Sequence, residues 1–135
     1  MNNQLEKLEK EILSKIKSDA NQSFSDPLDR LESNSEKSLK YTEILYRVRK
    51  VSNKKTMEVR KKYGELYKDL KYKSKFLLKN KADIDAHINT DDSYFNLKME
   101  LKTIENLVDI LEKVTTIYMN REYTERMIAK YKLGE

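Results

Sequence analysis

Apolar residues recur along this chain at intervals of three and four, the period of one face of an α-helix. Leu5, Leu8, Ile12 and Ile16, with Leu13 beside them, predict an amphipathic helix over residues 4–18. The polar run from Asp19 to Ser25 reads as a linker. Asp26-Pro27 with Asp29 then supplies an N-cap, a proline at the first helical position and an acid in the first turn. The next stripe is Tyr41, Leu45, Val48, Ser52, Thr56, Val59, Tyr63, Leu66 and Leu70, and the helical pattern runs to about Lys79. Its middle is polar and Gly64 is a poor helix residue, so the pattern fits one long helix or two that bend there. Asn80 to Asp83 suggest a turn, Ile84 and Ile88 a short helical piece, and Thr90-Asp91-Asp92 another start. The last helix, about 91–132, has the most regular heptads: Leu97, Leu101, Ile104, Val108 and Leu111. Leu107, Ile110, Val114, Ile117 and Tyr118 widen that stripe, and Gly134 stands where a terminator belongs.

These elements predict an all-α fold, a long antiparallel, coiled-coil-like helical hairpin with a short N-terminal helix. The chain divides into an N-terminal helix and linker, 1–25, and a hairpin, 26–135. Two glycines and one proline in 135 residues favour long helices, and a 38% apolar fraction allows only a thin core. Assembly into a homo-oligomer is the usual remedy. The wide stripe of Leu97, Leu101, Ile104, Leu107, Val108, Leu111, Val114 and Tyr118 is expected to form both hairpin core and subunit interface.

Charge changes the picture. Lys40, Arg47, Lys54, Lys61, Lys68 and Lys75 follow one another every seven residues, nearly two helical turns. Leu45, Ser52, Val59 and Leu66 form a second line about 200° away round the helix. Between Lys37 and Lys81 stand 16 Lys/Arg against four acids, a net of +12. The whole chain carries +5, so the remainder sums to −7. Arg47, Arg49, Lys50, Lys54 and Lys55 have only Glu43 and Glu58 close by in sequence. A cationic spine of this length suits a phosphate backbone better than a small substrate. The phosphate-contact candidates are Arg47, Lys54, Lys55, Arg60, Lys61, Lys62 and Lys68. Tyr67 and Tyr72, interleaved with lysines, are candidates for base stacking, whereas Tyr63 falls on the packing stripe.

Little points to chemistry. His87 is the lone histidine, there is no cysteine, and Asp83/Asp85 and Asp91/Asp92 sit at a turn and a helix start. No nucleophile–base pair, Gly-rich phosphate loop or metal-ligand spacing is present, so neither an enzyme, a metal nor a cofactor is expected. No run approaches about 20 apolar residues, and the N-terminus lacks an export signal. The expectation is a cytoplasmic protein without membrane contact.

Three segments carry a family resemblance. Met57-Glu58-Val59-Arg60-Lys61-Lys62-Tyr63-Gly64 resembles the basic-aromatic DNA-binding segment of the UvsY recombination mediators of T4-like phages, with Glu58 where that pattern has lysine. The run from Lys81 to Asp91 resembles their inter-helix turn. Leu107-Val108-Asp109-Ile110-Leu111-Glu112, with Arg121, Ile128 and Gly134, resembles their C-terminal helix. The resemblance implies binding of single-stranded DNA, displacement of a single-strand-binding protein and loading of a RecA-like recombinase. It further implies ring-shaped oligomers of six or seven subunits acting in a phage-infected bacterial host. The rival reading is a structural coiled-coil scaffold or architectural protein whose basic face meets an acidic protein or duplex DNA.

Overall fold

A computed structural model describes residues 3–73, 80–132 and 134. Four α-helices follow in order: α1 (Asn3–Ala20), α2 (Pro27–Lys68), α3 (Lys81–Asn89) and α4 (Asp92–Lys132). A π-helical turn, Asp69–Lys73, extends α2. There is no strand among the described residues, and no helix there is long and apolar enough to cross a membrane.

Local chemistry explains the boundaries. The Asp26 carboxylate accepts from the Leu28 amide at 2.8 Å, with Pro27 opening α2. Asn80 caps α3 through the Ala82 amide at 2.9 Å, and Asp91 caps α4 through the Tyr94 amide at 2.9 Å. Gly134 lies in the left-handed region at φ 75° and donates to the Tyr131 carbonyl, a stop that favours glycine. Helix α2 is continuous through Gly64, which settles the choice between one helix and two; its irregularity comes later, at the π turn. The stretch expected to continue to Lys79 includes Ser74 to Lys79, which lie outside the described residues.

Helices α2 and α4 form the antiparallel hairpin. Arg30 meets Glu125, Tyr41 meets Tyr118, Arg49 meets Glu112 and Lys55 meets Glu100, so one helix ascends as the other descends. The seam holds two apolar cores. In the first, Tyr41, Leu45 and Val48 pack with Ile104, Leu107, Leu111 and Tyr118, and Leu5 and Ile12 of α1 close it. In the second, Val59 packs with Ile84, Ile88 and Tyr94. Between them lies the polar stretch of α2, where the Thr56 hydroxyl donates to the Ser52 carbonyl at 2.9 Å and Lys55 reaches across to Glu100.

Two expectations change here. The stripe assigned to both core and subunit interface is taken up inside one chain: Ile104, Leu107, Leu111 and Tyr118 are buried, and Leu97, Leu101, Val108 and Val114 pack against the cores. The apolar side chains that α4 shows to solvent are others, among them Met99, Ile110, Ile117 and Met127. The boundary drawn at residue 25 also separates α1 from a core to which its own Leu5 and Ile12 belong.

Asp19, read from sequence as linker, is a buried residue of α1. Its Oδ2 accepts from Lys40 Nζ and, at 2.6 Å, from the Tyr41 hydroxyl; Lys37 Nζ donates to its backbone carbonyl. Tyr41 stacks on Tyr118 at 5.5 Å, with the Lys37 ammonium 5.5 Å from the Tyr118 ring centre. Burial pushes the Asp19 carboxyl up, but the bonds from Lys40 and Tyr41 and the charges of Lys40 and Lys37 outweigh it, so its pKa falls. Burial likewise holds Lys37 below the usual lysine value. This node fastens α1 to the hairpin. Asp19→Asn should cost about 2 kcal/mol at pH 7, measured by urea unfolding. The folded carboxyl titrates below its ordinary 3.8, so its contribution is present above that pH and is lost as pH falls through the lower folded value. The gap between wild type and variant should therefore close in acid.

Candidate nucleic-acid interface

The outer face of α2 is built by helix geometry. Arg47, Lys50, Lys54, Met57, Lys61, Gly64 and Lys68 follow by threes and fours, so they share one side. All but Gly64 are well exposed, and Gly64 is half-exposed. Packing of Leu45, Val48 and Val59 into the seam turns this face outward.

Pairing separates the candidates. Arg47 donates to Glu43 at 2.6 Å with both groups in solvent, an exposed helix pair of small energetic weight that a phosphate can compete with. Lys55 points the other way. Its ammonium is held at 2.9 Å by both Glu58 and Glu100, and the Lys55 and Glu100 side chains are each only 15% exposed. Burial pushes this lysine down, but the bonds to Glu100 and Glu58 override it and its pKa rises. Lys55 therefore belongs to the seam and leaves the set of phosphate contacts. Arg49 is likewise tied to Glu112 at 2.8 Å, and Lys40 of the seven-residue spine is committed to Asp19.

Lys54, Arg60, Lys61, Lys62 and Lys68 form no ion pair among the described residues. Lys54, Arg60, Lys61 and Lys68 are exposed and Lys62 half-buried. The open cations thus gather in the C-terminal half of α2, beside the second core. Lys75 of the spine lies outside the described residues.

The aromatic candidates divide as well. Tyr72 is 73% exposed, with the Lys71 ammonium 5.4 Å from its ring centre. Tyr67, expected to be an open ring, is half-buried: it packs against the second core, 6.0 Å from Tyr63. Tyr63 itself is half-buried and donates to Asp85 of α3 at 2.5 Å, a bond that pushes the phenol up to about 12. An exposed ring not chosen from sequence is Tyr46, with Lys50 over it at 4.7 Å. Its signal was present: it sits one residue before Arg47 and off the apolar stripe.

Chemically, the arrangement is a strip of exposed cations flanked by tyrosines, suited to holding a polyanion by charge and its unpaired bases by stacking. The lone His87 is exposed on α3. The distinction between seam and strip is measurable. Lys55→Ala leaves Glu100 without its ammonium and should cost about 2 kcal/mol in urea unfolding, less than a fully buried pair. Lys54→Ala should stay within about 0.5 kcal/mol. The Lys55 contribution is complete below pH 10.5, the ordinary lysine value, and is lost as pH rises through the higher folded value.

No family model matches this chain, and neither a curated protein nor a solved structure does, so the interface is read from its own residues.

Proposed function

We propose that this protein binds single-stranded DNA, largely without sequence preference, and acts as a recombination mediator. In this reading it loads a RecA-like recombinase onto strands coated by single-strand-binding protein. The observation that carries it is the concentration of open cations, Lys54, Arg60, Lys61, Lys62 and Lys68, in the C-terminal half of α2, with Tyr67 near its end and Tyr72 in the π turn that follows. Supporting it is the absence of a base-reading motif beside a charge strip, an arrangement that follows backbone rather than sequence. The mediator role, the cytoplasmic setting in an infected host and assembly into six or seven subunits extend the UvsY resemblance of residues 57–64, 81–91 and 107–134. The protein itself needs no cofactor in this role.

Binding is tested by fluorescence anisotropy on labelled oligo-dT across a salt series. The slope of log affinity against log salt should be about −0.7 per neutralised phosphate. Replacing Lys61, Lys62 and Lys68 together by Gln should flatten that slope by about 2. A slope near zero, or preference for a duplex of the same length, overturns the single-strand reading. The mediator role is tested by adding the protein to strand exchange on coated strands. A shortened lag with a RecA-like recombinase supports it, and no effect at saturating protein removes it.

A further inference from the structure

Gly64 interrupts the outer row of α2 between Lys61 and Lys68. Glycine disfavours a helix interior more than any residue but proline. No feature of the fold requires it there. The helix runs on without a break, and the backbone at Gly64 is not in the left-handed region. A Cβ built at this position meets nothing within 4 Å, so no neighbouring element needs the space. By contrast Gly134, with φ 75°, has an ordinary conformational reason.

The surroundings indicate what the space is for. On a helix the nearest surface neighbours of residue 64 are those three and four positions away: Arg60, Lys61, Tyr67 and Lys68. With no side chain at Gly64 the helix backbone is open to solvent there, and three of those four neighbours are cations. None of the three cations has an ion-pair partner among the described residues. Glycine is the residue that lets another backbone approach closely.

We propose that Gly64 is the seat of one nucleotide of a bound single strand. The sugar–phosphate lies against the bare helix backbone, and Arg60, Lys61 and Lys68 bracket the phosphate. The inference rests on the single-strand reading and deepens it. A second copy of the chain is the poorer occupant, because it would bring like charges against this ring of cations.

The test is a size series, Gly64→Ala and Gly64→Leu, in the full chain. Both residues are better helix formers than glycine, so the thermal midpoint should rise by about 4 °C. Affinity for labelled oligo-dT should nevertheless fall, by about threefold for Ala and about tenfold for Leu, as one nucleotide's contacts are displaced. The Leu variant should also lose about 0.7 from the salt slope. A raised midpoint with unchanged affinity overturns the proposal. So does a drop in mass by light scattering in either variant, which would place the glycine at a contact between copies. Failure of the wild type to bind oligo-dT at low salt instead removes the single-strand reading itself, and this proposal with it.

Discussion

The organisation of this protein follows from how far a carboxylate reaches. Acids that neutralise the cations of α2 come mostly from other helices: Asp19 from α1, Glu100 and Glu112 from α4. Lys40, Arg49 and Lys55 are paired in this way; Lys54, on the same heptad line as Lys40 and in a groove beside Glu58 and Glu100, forms no ion pair among the described residues, nor do Lys61 and Lys68. Two residues adjacent in sequence, Lys54 and Lys55, thereby acquire opposite roles. A charge left without a partner in the folded chain raises the free energy of that state through repulsion by its neighbours. A bound polyanion relieves that repulsion.

The same geometry divides the hairpin along its length. At one end α1 closes the first core, and the Asp19 node ties it to Lys40 and Tyr41. At the other, the short helix α3 closes the second core with Ile84 and Ile88, and Asp85 accepts from Tyr63. The polar layer of Ser52, Lys55, Thr56 and Glu100 separates the two. Open cations are concentrated on the α3 end, where Tyr63 and Tyr67 pack against the second core.

Much of this was legible in the sequence, and the reasons are physical. Helix type and order follow from period and caps: Asp26-Pro27, Asn80 and Asp91 each do locally what their residue types predict. The outward direction of Lys54, Lys61 and Lys68 also follows, since seven-residue spacing preserves a helix face. Pairing across helices was not legible. Nothing near Lys55 in sequence announces Glu100, and nothing near Asp19 announces Lys40 or Tyr41. Asp19 was misplaced for a related reason: a polar residue at a helix end reads as linker unless its buried partners are known. The wide stripe of α4 misled similarly. Its width reflects contact with α1, α2 and α3 inside one chain, so Leu107 and Leu111 carry no information about other copies.

The proposed strand-binding strip is short. From Lys54 to Lys68 the open row spans about 21 Å at the α-helical rise, room for a few nucleotides. So few phosphate contacts give weak, strongly salt-dependent binding. Several rows held together would convert later contacts into intramolecular ones at high effective concentration. In the proposed function, assembly is thus required by the shortness of the strip as much as by the thinness of the core. Met99, Ile110, Ile117 and Met127 recur along one side of α4 at heptad-compatible spacing. They belong to α4, the helix that packs against the cationic one, and not to α2 itself.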